Sequence, residues 1–573
     1  MKINKKLSYF ALGLTVCTVA QAQETKRPNI IYVFPDQMRN HAMQIWNEEG
    51  FNEHVNFKAD PVHTPVLSRF ARESVVLTSA HSNCPLSSPH RGMMLTGMFP
   101  DGSGVPLNCN NTRPVSNLRV DAITISDVLS QNGYDCAYIG KLHVDFPTKN
   151  NPQNPGTYVE KRNPIWDAYT PPERRHGFRY WYSYGTFDEH KTPHYWDTEG
   201  KRHEIKEWSP KHEADKAIEY LKEERDPQKP FYLVVSMNPP HSPYYSLDDV
   251  MEEDYNLYKD KPLNELLIRP NVSPELAKKQ KSAPYYFASV TGVDREFGRI
   301  LDAVKELGLD DNTIVVFTSD HGETMASHVQ DPKNSPYTES MNVPFLIRYP
   351  GKLKPHVTDL LLGTPDIMPT LLSLVGLENK IPASVQGQNL TPFLNEKGCK
   401  RKAPKGVLYI RNVDGEKDAE GKVQSYFPIA RGIKTHRYTL SITIDRQKQV
   451  NEILLFDDQN DPYQMNPIDV EQNQKLYLQL TKQMHGLLKK ADDPWYRENF
   501  AYQVTTAKNN QNVIDDNLKF ATQQIGYQVQ IIEESGKVLN PRTIKRDNIH
   551  RDASAAAIIA SALYESCYPG NQW

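Results

Sequence analysis

The chain alternates short, continuously apolar runs with longer amphipathic ones. Asn29 to Phe34, Glu73 to Thr78, Tyr134 to Ile139, Phe231 to Met237 and Thr313 to Thr318 are rich in Val, Ile, Tyr and Phe. Short apolar runs without polar alternation predict strands buried on both faces. Helical spacing fills the intervals. Thr124 to Gln131 is one such stretch, stopped by Gly133. Ser209-Pro210 opens another as N-cap and first-turn proline, running to about Glu224, and a long one covers Tyr285 to Leu307. This βαβα order predicts an α/β fold, a large mostly parallel sheet sandwiched by helices.

From about Lys405 the pattern changes. Strand-like runs at Gly406 to Ile410 and Tyr438 to Ile444 precede a helical stretch from about Glu471 to Lys490. They predict a smaller antiparallel sheet with one helix. The expected organisation is an α/β domain over 23–404, an α+β subdomain over 405–500, and an Asn/Gln-rich extension over 501–573. The extension ends in a small-residue helix near Ala553 to Leu563 and has no readable role.

Composition narrows the classes. A chain of 573 residues exceeds one ordinary core, and its net charge of −3 comes with no basic block, which excludes a nucleic-acid binder. Lys2, Lys5 and Lys6, the apolar Leu7 to Ala20 and the small-x-small Ala20-Gln21-Ala22 predict a signal peptide over 1–22. No other segment is apolar enough to span a bilayer. The mature protein is therefore expected to be exported, to the periplasm, the cell surface or the medium. Cys17 lies in the leader. The other five cysteines are odd in number and match no zinc spacing, so small buried side chains are expected, with no disulfide framework.

Polar clusters follow five predicted strands: Asp36-Gln37, then Ser87 and Arg91, then Lys141 and His143, then His241, then Asp320-His321. In a parallel sheet all five open on the carboxyl edge, where such folds place ligands. Ser87 opens a helical run, so free N–H groups and the helix dipole favour an anion beside it. Arg91, one turn later, offers a rigid fork of donors to the same place.

The segment Ser87-Ser88-Pro89-His90-Arg91-Gly92-Met93-Met94-Leu95-Thr96-Gly97 resembles the sulfatase signature Cys/Ser-x-Pro-x-Arg-x-x-x-Leu-Thr-Gly at every fixed position. The resemblance runs from about Pro28 to Pro462. Pro28-Asn29-Ile30-Ile31 with Asp36-Gln37 resembles the opening strand and first metal pair, with Gln37 departing from the usual Asp. Ser319-Asp320-His321-Gly322-Glu323 resembles the second pair. Gly140-Lys141-Leu142-His143 and Asn238-Pro239-Pro240-His241-Ser242-Pro243 resemble two further family motifs. Lys333 matches the last family lysine, and Leu455-Phe456-Asp457 the closing strand.

The resemblance implies an alkaline phosphatase-like fold and a serine-type sulfatase, in which an anaerobic radical enzyme converts Ser87 to formylglycine. One hydroxyl of the hydrated aldehyde attacks sulfur and the other later expels sulfate. Asp36, Gln37, Asp320 and His321 are the implied ligands of one divalent cation; oxygen donors suit Ca2+ or Mg2+, and Ca2+ is expected. Arg91, Lys141 and Lys333 would neutralise the sulfuryl oxygens, His143 would hold or activate the hydrate, and His241 would protonate the leaving sugar oxygen.

Substrate is read from less. The aromatic and basic stretch from Trp166 to His190 suggests a sugar subsite, with Arg175 and His176 as contacts. The serine-type signature resembles exo-acting sulfatases of gut bacteria on host glycans such as mucin, with galactose 3-O-sulfate the expected target. Two rivals stand: a phosphohydrolase or phosphotransferase of the alkaline phosphatase superfamily with unmodified Ser87 and two zinc ions, and an inactive glycan-binding protein.

Overall fold

All five apolar runs form strands of one ten-stranded sheet. The computed structural model describes residues 27–328, 332–395 and 402–500, with the backbone of two short strands, Ile531–Ile532 and Val538–Leu539. In chain order the sheet holds β1 (Asn29–Val33), β2 (Val75–Leu77), β3 (Asp135–Lys141), β4 (Tyr180–Tyr184), β5 (His194–Trp196), β6 (Arg202–Glu204), β7 (Phe231–Ser236), β8 (Thr313–Thr318), β9 (Phe345–Arg348) and β10 (His356–Thr358). Its spatial order is β10-β2-β9-β8-β1-β7-β3-β4-β5-β6. Only β5 and β9 oppose the common direction, so the mostly parallel sheet is borne out.

The two-sided burial explains the unbroken apolar runs. In β1, Ile31 and Val33 enter the core on one face, while Ile30 and Tyr32 enter the core on the other. Alternate residues of β7 and β8 divide the same way. The helices α1 (Ser87–Thr96) and α2 (Ile125–Gln131) cover one face. The other is covered by α3 (Ser209–Glu219) and α4 (Ala283–Glu306). Each fully buried Val, Ile or Phe stabilises this arrangement by about 1.5–3 kcal/mol.

Local signals behave as read, with one adjustment. Thr124 caps α2 in a capping box with Asp127. Trp208, not Ser209, is the N-cap of α3, because Ser209 already has helical geometry; the helix continues as a π turn over Tyr220–Glu224.

The smaller sheet is antiparallel in sequence order: β11 (Val407–Asp414), β12 (Tyr426–Lys434), β13 (Tyr438–Ile444) and β14 (Val450–Asp457), accompanied by α5 (Gln474–Ala491). It buttresses two loops of the larger sheet. Asn83 bonds both the carbonyl of Leu408 and the amide of Ile410, at 2.7 Å each. The Tyr409 hydroxyl donates to the carbonyl of Asn334 at 3.2 Å. Met1–Phe500 forms one compact unit and Ala501–Trp573 a second. The expected signal peptide and the helix near Ala553 lie outside the described residues. Cys84, Cys109 and Cys136 are buried free thiols, and no described helix is long and apolar enough to cross a membrane.

Candidate active site

Ser87 is the first residue of α1 and is buried. The signature residues behind it are a device for placing it. Pro89 occupies the first turn, where a missing N–H costs nothing. His90 is held through Nδ1 by Ser82 at 2.9 Å and Thr364 at 3.2 Å. Thr96 donates to the carbonyl of Gly92, and Gly97 ends the helix in the left-handed region at φ 66°.

Around Ser87 the carboxyl ends of β1, β3, β7 and β8 converge. Ser87 Oγ lies 3.1 Å from His321 Nε2 and 3.5 Å from Asp36 Oδ1. Asp36, Asp320 and His321 each present a ligand atom, all within 4.8 Å of one another. His321 Nδ1 donates to the carbonyl of Gly322 at 3.0 Å, which leaves the lone pair of Nε2 facing Asp36 Oδ1 at 3.4 Å. An acceptor nitrogen and two buried carboxylates therefore meet at one point. This donor set fits a divalent cation and calls for one.

The electrostatics agree. Burial opposes the charge of Asp36, but Lys141, His241, Arg91 and His321 hold it well below the usual carboxylate range. Burial and the charge of Asp36 push Asp320 upward, only partly offset by Arg91. Burial, then Lys333, keeps His321 neutral. A cation would relieve the strain between the two carboxylates.

Arg91 has a different task from the expected one. Nη1 donates to the carbonyl of Lys141 and to Ser236 Oγ, both at 2.7 Å, and Nη2 reaches Asp36 at 3.1 Å and Asp320 at 3.3 Å. All four terminal N–H groups are taken, so contact with sulfuryl oxygens gives way to holding the two carboxylates apart and in register. Lys141 bonds Asp36 at 2.8 Å and Asn238 Oδ1 at 2.9 Å, leaving its third N–H for an anion.

Gln37 has two further partners. Its Oε1 accepts from Lys333 at 2.8 Å and its Nε2 donates to Glu323, so its side chain bridges those two and keeps one Oε1 lone pair. Lys333 also donates to His241 Nε2 at 2.8 Å, while His241 Nδ1 donates to the carbonyl of Ser242 at 2.7 Å. Burial, with Lys333 and Lys141 nearby, depresses the His241 pKa. The transferable proton of this pair therefore sits on Lys333. His143 Nε2 donates to the carbonyl of Cys109 at 3.1 Å, and its Nδ1 lone pair is buried without a partner.

Two carboxylates escaped the sequence reading. Asp188, beyond the end of β4, accepts from Asn238 at 3.2 Å and lies 3.6 Å from His241. Burial opposes its charge, yet His241 and Lys141 bring it down to about 2. Glu323 accepts from Tyr244 at 3.0 Å as well as from Gln37. Glu323 was visible as part of the Asp-His-Gly-Glu run; Asp188 carries no local signal.

Arg175 and His176 require correction. They precede β4, whose far end, Tyr184, pairs with Lys141, so they sit at the amino edge, opposite the site. Arg175 is spent on the carbonyls of Thr170 and Thr198 and on the Tyr169 hydroxyl. His176 is bonded to Asp127, in the first turn of α2, at 3.2 Å. Both are packing residues; aromatic density along a sequence does not say which edge of a sheet it reaches.

Gly140 shows how tightly the cluster is built. Its φ is +95°, and a Cβ there would lie 2.1 Å from the carbonyl of Ser236. Gly140→Ala is expected to displace Lys141 and the Arg91 anchors on Lys141 and Ser236, lowering kcat by roughly a hundredfold or more. Unchanged kcat in that variant would show that the cluster tolerates a shift of the β3–β7 pair.

The comparisons agree with this geometry. The family model described as Sulfatase matches residues 28–377, and that described as N-sulphoglucosamine sulphohydrolase, C-terminal, matches residues 329–492. A Bacteroides thetaiotaomicron protein named Endo-4-O-sulfatase is 64% identical over 482 residues, covering 83% of this chain and 95% of its own. An Ulvan-active sulfatase of Formosa agariphila is 33% identical over 468 residues, 79% of each chain. A solved Bacteroides thetaiotaomicron structure, described under the metabolism of multiple glycosaminoglycans, matches with TM-score 0.81 at 64% identity, covering 83% of this chain and 99% of its own. A phosphonate monoester hydrolase of Agrobacterium radiobacter shares the fold alone, at TM-score 0.57 and 19% identity, covering 81% and 96%. A catalytic sheet edge built this way and matched over more than half the chain by the family model makes this protein a member of the sulfatase family, a sulfuric ester hydrolase.

Proposed function

We propose that this sulfatase removes 4-O-sulfate groups from within a glycosaminoglycan chain. The observation that carries the reading is the 64% identity, over 95% of its length, to the relative named Endo-4-O-sulfatase. This replaces the expectation of exo action on galactose 3-O-sulfate, which rested on the serine-type signature alone.

The sulfatase family generally uses formylglycine and a divalent cation. Ser87, oxidised to formylglycine by an anaerobic radical enzyme, supplies as its hydrate the attacking hydroxyl. A divalent cation, which we take to be Ca2+, would polarise the sulfate and acidify the hydroxyl beside it. Asp36, Asp320 and His321 would hold that cation, and the second lone pair of Gln37 Oε1 would be available to join them. The unpaired Nδ1 of His143 accepts a proton from the hydrate. Lys141 aims its free N–H at a sulfuryl oxygen. Lys333, sharing its proton with His241, protonates the leaving sugar oxygen. Asp188 and Asn238 fix His241 and Lys141. The protein acts after export, to the periplasm or cell surface, with residues 1–22 as its leader and 405–500 as the buttress of the site.

The test is sulfate release from full-length polymers bearing 4-O- or 6-O-sulfate and from galactose 3-O-sulfate. Release from internal units of the 4-sulfated polymer, at least tenfold faster than from the other two, is the expected result. Release from galactose 3-O-sulfate alone would overturn the reading.

A further inference from the structure

A groove of about 820 Å³ opens beside the catalytic cluster, a size within the range of ligand sites. Its rim carries Lys259, Lys261, Lys279 and Lys281, all exposed. None of the four forms an ion pair among the described residues, although Lys261 lies 5.4 Å over the ring of Tyr258. The acid lining the groove is Glu323, which is buried and already accepts from Tyr244 and Gln37. In a chain of net charge −3, four unpaired lysines around one depression concentrate positive charge. The amino end of the 24-residue helix α4 adds to it, since Ser282 and Pro284 also line the groove.

Aromatic faces accompany the charge. Tyr245 is 64% exposed on the wall. Tyr285 stacks on Tyr255 at 4.5 Å and 13°, which fixes the plane of both rings within the lining. A flat ring beside an ammonium group suits the apolar face of a pyranose that carries an anionic substituent.

The groove and the active site are joined by shared side chains. Tyr244 and Glu323 belong to its lining, and Glu323 is one hydrogen bond from Gln37, which is one hydrogen bond from Lys333. Pro332, also in the lining, is the chain neighbour of Lys333. A chain whose sulfate sits at Ser87 and Lys333 thus has lysines and tyrosines within reach of its neighbouring units.

We propose that this groove binds the anionic sugar units adjoining the one that loses its sulfate, Lys259, Lys261, Lys279 and Lys281 pairing with carboxylate or sulfate and Tyr245 and Tyr285 stacking on the rings. The proposal rests on the reading of this enzyme as one that acts inside a polyanionic chain, and it names the part of the protein that makes such a chain a better substrate than a single unit. Held in the groove, the neighbouring units raise the local concentration of the scissile sulfate without touching the reacting atoms.

The experiment compares the wild type with a variant carrying Lys259→Ala, Lys261→Ala, Lys279→Ala and Lys281→Ala. KM is measured on a 4-O-sulfated uronate–hexosamine polymer, on the 4-O-sulfated hexosamine alone and on a small aryl sulfate. Each exposed ion pair contributes at most about a factor of five, so the four substitutions are expected to raise KM for the polymer about tenfold or more. The single sulfated hexosamine and the aryl sulfate should stay within about twofold, and raised salt should weaken polymer turnover more in the wild type than in the variant. In a second arm, Ser87→Ala protein with and without the four changes is titrated with the unsulfated polymer and with the 4-sulfated one. Binding of both shows carboxylate recognition; binding of the sulfated one alone shows sulfate recognition; both outcomes support the groove, provided the lysine changes abolish them. Equal KM shifts on polymer and single sulfated hexosamine, or polymer binding that survives the four substitutions, would overturn the proposal. If the wild type releases no sulfate from the polymer, the proposed function fails, while the binding arm, which needs no turnover, still decides the groove.

Discussion

Ser87→Ala abolishes turnover, with kcat expected to fall by about ten-thousand-fold or more, as when an essential nucleophile is removed. Ser87 has the right surroundings for a modified nucleophile. It is buried at the amino end of α1, 3.1 Å from a histidine lone pair and 3.5 Å from a carboxylate oxygen. Both neighbours are weak bases for a plain serine. Burial, then Lys333, depresses the His321 pKa, and Asp36 is held ionised well below the usual carboxylate range despite its burial. A serine hydroxyl would stay weakly nucleophilic there, whereas a hydrated aldehyde supplies a more acidic hydroxyl and a second one to expel the product. The check is mass spectrometry of the peptide containing Ser87, expected to be lighter by two hydrogens in active protein. Full activity with unmodified serine would transfer the chain's chemistry to the phosphohydrolase rival. The alanine variant should keep the wild-type melting profile, because the Ser87 hydroxyl makes no contact outside the cluster.

Removal of the cation should be nearly as severe. Asp320→Ala, or chelation of the wild type, is expected to lower kcat by about a thousandfold or more, the scale seen when one preorganised charge in a dry site is deleted. The physical reason lies in the pairing. Arg91 Nη2 spans Asp36 and Asp320, and Asp320 Oδ1 accepts from the backbone amides of Gln37 and His321 at 3.0 and 2.9 Å. Losing Asp320 removes a ligand and frees both loops that carry the others. Chelated wild type should regain activity on addition of Ca2+; Asp320→Ala should not. Elemental analysis should find one divalent ion per chain, and two zinc ions would sink the assignment.

Much of the fold was legible because the strands are buried on both faces. Ile30 to Val33 and Phe231 to Val235 have no polar alternate position, and such runs mark a parallel interior sheet before any contact is known. The helical stretch from Thr124 to Gln131 and the one opened by Ser209-Pro210 and running to about Glu224 were likewise local. The tail beyond Phe500 gave no such pattern.

The site divided differently. Sequence alone determined the list of charged strand-end residues and their common edge, because a parallel sheet puts every strand's carboxyl end on the same side. It also determined the signature that places Ser87 on a helix start. Tertiary structure decided what each group faces. Arg91 was expected to meet substrate, but its four terminal N–H groups are taken by Asp36, Asp320, Ser236 and the carbonyl of Lys141, partners up to 229 residues away. Gln37 stands between Glu323 and Lys333 because its backbone turns into the left-handed region at φ 67°, which no spacing rule reports. Arg175 and His176 sat in the densest aromatic stretch of the chain, yet they precede their strand instead of following it, so the sheet carries them to the wrong edge. Asp188 and the lysines of the groove are the converse: with no motif among them, they take their places only through the folding of the connections after β4 and after β7. Spacing records which residues share a strand end; the direction of a side chain and the partner that claims its donors depend on contacts made hundreds of residues apart.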